Sequence, residues 1–509
     1  MNIRESIRNF LTRPSGQVKG QGYDAGETTY ARKDLGWSRR TERDEDTILR
    51  DGTRDTIRMK GVDLKRNSGV VSGFCSRLAK FAVGADGISP RAVTTDKGWN
   101  RAAEDFFWNA WGPLCDSRKR ASLYRLQFQT MFLRPIHGGL YYELLTDGRI
   151  RPIECERIRN PSNPETAKGW ADGLKIDKQT GETTAYWVHG RDSDGSFTGS
   201  HQEGLVDAVN ILPAINPPWR PDQVREVPDL AHVIPLFQDF QEMNQDVLAT
   251  AKLQAKISAW IKANDPANVL ASRVANPTAG SRPVHKMDGL QVFGLFPNEE
   301  MGGFDSTTPN VMHIPYMQWQ LVLCASAMDL PYEFLTLDFS KADWSRMKGI
   351  LTFINQGMRP YRKWLIDSMM YPLWCWRVAK EMGPGGELQG CPVDAKGRSQ
   401  WDWVEWHEPE QIWVDRQEAA QSDVMEYQMG QVSLSDMAKR RGRDFLDTLR
   451  DIAQEKVDIA QIEKDHGLPA GSLITTQIPG QKPSADKEPK PNKQTDMPDD
   501  AEVPDDAGK

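Results

Sequence analysis

A chain of 509 residues with 27% charged side chains is long enough for two to four ordinary domains and a large core. Its net charge of −7 argues against a tight nucleic-acid binder, which carries a basic surface, but not against a protein that lets DNA slide past on few phosphate contacts. No apolar run approaches the roughly 18 residues of a membrane helix, and MNIRESIRNFLTRPSGQ lacks the apolar stretch of a secretory signal, so neither membrane nor export is expected.

Residues 1–45 are polar and Arg-rich and read as an extended arm. From 46 to 83 the chain reads as helix, with Ile57, Val62, Leu64, Val71, Phe74, Leu78 and Phe81 on its apolar positions and Gly84 and Gly87 as stops. An amphipathic helix at 98–111 carries Phe107, Trp108 and Trp111, and another follows at about 121–133. The segment 139–215 is β-rich, with hairpin turns at Asp147-Gly148 and Thr180-Gly181.

Leu230, Val233, Phe237, Phe240, Val247, Leu248 and Ala251 then keep helical spacing over about thirty residues, roughly 45 Å of helix. Pro235 either kinks this helix or marks its first turn. Residues 262–308 are rich in Pro, Gly, Asn and Ser, with a strand expected at 290–296, and read as a small insertion. Helical pattern returns at 314–329 and breaks into LPYEFLTLDFSKADWSRMKG. A long helix follows, stepping through Met347, Leu351, Ile354, Met358, Tyr361 and Leu365 and expected to kink at Pro360 and Pro372. Residues 401–414 read as strand and turn, 416–465 as two or three polar amphipathic helices, and the stretch from 470 as a disordered tail.

Catalytic chemistry is not legible. There is no GxxxxGK[ST], HExxH, GxSxG or GxGxxG, and no His falls at metal-ligand spacing, so neither a catalytic residue nor a cofactor or metal is expected. RDSDGSFTG (191–199) lacks the ligand positions of a calcium loop and reads as a turn. The six cysteines include no CxxC pair and read as reduced thiols. Seventeen Trp point to large contact areas, between subunits among others.

Several segments, in order, resemble the portal proteins of tailed bacteriophages of the lambda-like family. They are RTERDEDTILRDGTRDTIRMKGVDLKRNSGVVSGFCSRLAKFAVGADGI with its Arg66-Asn67 pair, then WNAWGPLCD, PIECERIRNP with GLKIDKQTGETTAYWV, PPWRPDQVREVPDLAHVI, and the LPYEFL…DFSKADWSR stretch. The resemblance spans about residues 23–468. Asp222 and Glu226 stand where the family usually has Gly, and Lys341 to Ser345 replace its Asn-Tyr-Ser-Ser loop.

The resemblance implies an α+β, portal-type ring subunit with a mixed α/β wing, a two-helix stem, a small α/β clip insertion and a helical crown. Its parts map as an arm (1–45), wing (46–227), stem helix (228–260), clip (261–308), stem helix (309–334), tunnel loop (335–346), kinked helix and wing (347–414), crown (415–468) and tail (469–509). It also implies a non-enzymatic function: a homo-oligomeric ring, a dodecamer, at one capsid vertex, passing double-stranded DNA during packaging and ejection. The implied partners are the terminase large subunit, head–tail adaptor proteins, and major capsid and scaffolding proteins. The implied location is the virion, with host cytoplasm during assembly.

The tunnel loop's DNA-facing candidates are Asp338, Ser340, Lys341, Asp343, Trp344 and Arg346. One basic residue per subunit, repeated round a ring, makes the weak symmetric phosphate contact that translocation needs. Lys341 reads equally as an ordinary surface lysine, and Trp344 reads more readily as a packing residue in the next helix's first turn. Lys252 and Lys256, one turn apart, line the channel or else form a solvated or inter-subunit ion-pair face. Two other readings stay open: another head–tail connector, and a cytosolic DNA-binding regulator that uses Lys439, Arg440, Arg441 and Arg443 within residues 431–455.

Overall fold

The computed structural model describes residues 52–190, 203–216, 220–256, 313–410, 416–443 and 445–469, with Leu49 and the strand backbones 259–263, 284–287, 290–293 and 299–303. The arm, the turn at 191–199 and the tail from 470 lie outside the described residues. The chain forms two compact units, Met1–Asp444 and Phe445–Lys509. Helices and small antiparallel sheets make it a mixed α+β protein. No helix among the described residues is long and apolar enough to cross a membrane.

The helical stretch expected over 46–83 is present from Thr53 as two helices, α1 (Thr53–Asn67) and α2 (Gly69–Val83), which meet just after the Arg66-Asn67 pair. Ser68 takes extended backbone (φ −108°, ψ 115°) between them. Asn67-Ser68-Gly69 gathers weak helix formers at the junction, and Ser suits an N-cap backbone. Strand β1 (Ser89–Ala92) follows, then α3 (Lys97–Asp105), whose N-cap Asp96 accepts from the Gly98 and Trp99 amides. A wide π-type turn at Phe106–Trp111 continues α3. Helix α4 (Leu123–His137) begins at the Ser122 cap and ends at Gly138 (φ 83°), the left-handed stop that glycine provides.

Strands β2 (Gly139–Leu144), β3 (Ile150–Ile153) and β7 (Ile211–Ile215) form one sheet in the order β3-β2-β7. A second sheet, β4-β5-β6, contains β4 (Leu174–Ile176), β5 (Thr183–His189) and β6 (Glu203–Asp207). Both expected turns are present, with Gly148 (φ 81°) and Gly181 (φ 74°) in left-handed backbone. A small core between the sheets holds Tyr141, Ile153, Cys155, Leu174 and Tyr186.

Helix α5 (Ile234–Lys256) places Pro235 in its first turn, where a missing N–H costs nothing. Beyond it, the backbone of β8 (Ala259–Ala263) pairs antiparallel with β11 (Glu299–Gly303), enclosing the hairpin of β9 (Val284–Met287) and β10 (Leu290–Phe293). The strand expected at 290–296 is present over Leu290–Phe293, and 294–296 lie outside the described residues. The chain returns through α6 (His313–Ala327), the short α7 (Tyr332–Thr336) and α8 (Trp344–Leu365).

Helix α8 runs through a second wide turn, Ile366–Met370, into α9 (Tyr371–Glu381). Strand β12 (Val404–His407) returns to pair with β1 across more than 300 residues of sequence. The main core joins α2, α4, α8 and α9 through Phe74, Leu78, Leu126, Met358, Leu365 and Trp374, all essentially buried. Trp374 donates its Nε1–H to the Trp401 carbonyl at 2.9 Å, and Trp111 donates to that of Gly148 at 2.7 Å, so these indoles bury their rings without stranding a donor. By contrast Trp319, Trp344 and Trp403 lie on the surface of the single chain.

The helical region after 415 contains α10 (Arg416–Gln428) and α11 (Leu434–Arg440), the latter started by a Ser433/Asp436 capping box. In the second unit, α12 spans Phe445–Asp465.

Candidate functional site

Helix α6 ends in a tight reversal. Asp329 adopts left-handed backbone (φ 53°), the Leu330 amide bonds back to the Ala325 carbonyl at 3.0 Å, and Pro331 forbids continuation. The five residues of α7 anchor the loop on their C-terminal side. Phe334 is buried with its ring edge-on to Phe81 (5.3 Å) and Phe74 (6.5 Å) of α2, and Arg77 donates to the Leu335 carbonyl at 2.6 Å. Leu335 is therefore core, and the non-helical loop spans 337–343, narrower than the 335–346 expected.

The loop is knitted by its own polar groups. Leu337 (φ 59°) closes α7 by donating its amide N–H to the Glu333 carbonyl at 2.8 Å. The Asp338 carboxylate accepts from the Ser340 amide at 3.0 Å and from the Tyr332 hydroxyl at 3.4 Å. Hydrogen bonds from Ser340 hold the Asp338 carboxyl below its usual range. Asp343 is the N-cap of α8 and accepts from the Arg346 amide at 2.7 Å. The Arg346 guanidinium pairs with the buried carboxylate of Glu333 at 3.0 Å, and Lys341 Nζ hydrogen-bonds Gln318 Oε1 at 3.3 Å.

The expected residues therefore divide. Asp338, Ser340 and Asp343 shape the loop, while Lys341 presents its ammonium on the exposed surface. Arg346 lies in the first turn of α8, committed to Glu333. Trp344, expected to pack, is 59% exposed and has the Lys348 ammonium 5.9 Å from its ring centre. On α5, Lys252 is exposed; Lys256 belongs to the same helix, but its side chain lies outside the described residues.

Beside the loop, an open apolar cleft of about 570 Å³ separates α6 from α8. Val322, Leu330, Ile350 and Phe353 form its walls, with Asp329 and Arg346 at its polar edge.

Sequence reasoning missed the strongest electrostatic feature. Glu226, fully buried, accepts from Arg225 at 2.9 and 3.0 Å and from the Tyr141 hydroxyl at 2.7 Å, and pairs with Arg58. Arg54 pairs with Asp172 and donates to the Glu226 carbonyl at 3.2 Å. Arg225 further donates to the carbonyls of Ile158 (3.0 Å) and Cys155 (3.2 Å). Burial by itself would raise the Glu226 carboxyl, but Arg225, Arg58 and Arg54 overcome it and hold the group well below the carboxylate range. The available signal was the i, i+4 spacing of Arg54 and Arg58, continued by buried Gly61 and Leu64 on one face of α1.

Three of the four basic residues singled out around α11 are paired with carboxylates. Arg440 pairs with Asp423 (3.1 Å) and Glu426 (2.8 Å), Arg441 with Asp423 (3.3 Å), and Lys439 with Glu405 (2.8 Å). Among the described residues, no three or more His, Cys, Asp or Glu side chains gather as a metal site would require.

Among solved structures, the chain is similar to the neck of an empty gene transfer agent (GTA) particle computed with C6 symmetry: 11% identity over 74% of this chain and 92% of that one, TM-score 0.41. The native GTA neck computed with C12 symmetry matches at 11% identity over 86% and 98%, TM-score 0.38. An HK97 family phage portal protein from Corynebacterium diphtheriae matches at 13% identity over 56% and 81%, TM-score 0.28. At such TM-scores these likenesses carry no functional argument. No curated protein matches the chain. The family model for phage portal proteins of the lambda family matches residues 31–359, well over half of the chain, and the chain belongs to that family.

Proposed function

We propose that this protein is the non-enzymatic subunit of a ring, a dodecamer, at a single capsid vertex, through which double-stranded viral DNA is packaged and later ejected. Family membership carries the reading. The order of elements supports it: a long helix, a small β insertion and a returning helix, followed at once by a short charged loop. In this reading, residues 46–227 belong to the wing, α5 and α6 form the stem, 261–308 the clip, the loop after α7 the tunnel loop, α8 and α9 the kinked helix, and 415–468 the crown. The ring would dock the terminase large subunit during filling and head–tail adaptors afterwards, within a shell of major capsid and scaffolding proteins. It would reside in the virion after assembly in the host cytoplasm.

Lys341 is the loop's DNA-facing residue in this scheme, with Asp338, Ser340 and Asp343 holding its position. A single exposed ammonium per subunit gives weak, salt-screened contact suited to a sliding duplex. The rival DNA-binding regulator loses ground because Lys439, Arg440 and Arg441 are matched by carboxylates.

Microscopy and mass measurement of the purified chain test the reading. Closed rings with an axial hole wider than a duplex are expected; a strictly monomeric or dimeric protein at micromolar concentration would overturn it. In complementation of a portal-defective phage, Lys341→Glu should leave rings intact but reduce DNA per head. Normal packaging and retention would remove Lys341 from the DNA path.

A further inference from the structure

We infer that the apolar cleft between α6 and α8 is the seat for Trp344 of a neighbouring copy of this chain, so that adjacent subunits lock through one residue and one cleft. The inference rests on the ring reading above and names the contact that would build it.

Helix α6, HIPYMQWQLVLCASA, contains no Asp, Glu, Lys or Arg. Only Met317, Cys324 and Ala325 are buried, while Ile314, Tyr316, Trp319 and Leu323 remain 65, 46, 58 and 38% exposed. A helix apolar around most of its circumference belongs in an interior, and a contiguous exposed apolar surface marks an interaction site. The cleft extends that surface through Val322, Leu330, Ile350 and Phe353, the last 47% exposed. With so little charge on it, this face suits protein better than nucleic acid, whose binding needs cations.

The same chain carries the matching part. Arg346, Gly349, Ile350 and Phe353 face the cleft. Trp344 and Lys348 each lie roughly 160° round α8 from Arg346, at 3.6 residues per turn. One flank of α8 thus offers a recess and the other an exposed indole. A closed ring needs that arrangement: two different, complementary patches on every subunit. Trp is also the side chain most often found as a buried anchor in interfaces.

Charge agrees with shape. At the cleft mouth Arg346 is matched by Glu333, so Asp329 leaves an excess negative charge. Lys348 sits beside Trp344 and would arrive with it.

Two substitutions test the contact without threatening the fold. Trp344→Ala removes an exposed side chain. Gly349→Trp fills the cleft from a helical position whose added Cβ meets nothing within 4 Å. Both variants should keep the wild-type circular dichroism and melting profile, and both should raise the subunit concentration for half-assembly by about 10-fold or more, the range of a hot-spot residue. A photoreactive phenylalanine at position 344 should crosslink to residues 322–330 or 349–353 of another copy, giving covalent dimers and higher bands on a denaturing gel. Rings that assemble normally in both variants, or crosslinks that map elsewhere, overturn this contact and leave the portal reading standing. Wild-type protein that forms no rings at all overturns the portal reading and this inference with it.

Discussion

Arg58 and Glu226, 168 residues apart in the chain, meet in a buried ion pair with 5% and 0% of their side-chain surface exposed. The pair ties α1 to the segment leading into α5, and Arg225 and Tyr141 extend the tie to both sheets. A buried charge is tolerated only when its partners satisfy it, and here two guanidiniums and a phenol bond one carboxylate, with Arg54 on the same residue's backbone carbonyl.

Glu226→Gln should therefore destabilise the first unit by about 3–5 kcal/mol, because Arg58 and Arg225 would keep their burial and lose their counter-charge. Urea unfolding would measure it, and a loss below about 1 kcal/mol would show the arginines re-pairing elsewhere. The pH sign comes from the depressed carboxyl. Its stabilisation is complete above the ordinary Glu range and is lost as pH falls below that range toward the depressed native value.

His137 gives a separate limb. Burial, and then the nearby Arg58, lower its pKa from 6.5 to about 4. The native state keeps it neutral while the unfolded chain binds a proton, so stability should fall as pH drops from 6.5 to about 4. The loss should be on the order of 3 kcal/mol at most. His137→Gln should flatten this part of a stability–pH curve and leave the more acidic limb from Glu226 in place.

Gly139 has φ 129°, and an added Cβ would lie 2.2 Å from the Ala214 carbonyl oxygen and 2.8 Å from Ile215 Cα. Gly139→Ala should cost about 3 kcal/mol or more by forcing β2 away from β7. Gly181→Ala meets open space at φ 74° and should cost only the left-handed backbone penalty, about 1–2 kcal/mol. Paired thermal melts would separate backbone collision from backbone preference.

Within the loop, Asp343→Ala should cost about 1 kcal/mol through the lost cap of α8. Lys341→Ala should stay within about 0.5 kcal/mol. If equilibrium unfolding ranks them in the opposite order, Lys341 has a structural role that its 3.3 Å hydrogen bond to Gln318 does not suggest.

Local signals are legible in the sequence. Asp147-Gly148, the Pro235 start of α5 and the helical spacing of α8 each depend on residues within a turn or two of one another, and each is present. Features set by distant partners are not. The pairing of β1 with β12 unites segments more than 300 residues apart, and Glu226 acquires its meaning only when α1 and β2 fold around it. The polar break places the charged loop but overstates its width. Leu335 is held inward by α2, a contact invisible in local pattern. Local pattern also suggests a packing role for Trp344, and in the single chain it faces outward.

The wide turn at Ile366–Met370 sets the phase of everything after it. Its extra residue lets Met369, Met370, Leu373, Trp374 and Val378 point into the same core as Met358 and Leu365, where Trp374 meets the Phe107 ring at 5.2 Å. Loss of one codon there would turn the rest of the helix by about 100° and swing Trp374 out of register with Phe107. The reading frame of the gene would survive such a lesion, but the angular frame of the helix would not. In-frame deletions should therefore be far scarcer between codons 366 and 370 than in the exposed turns near 395, where the chain has no helical phase to keep.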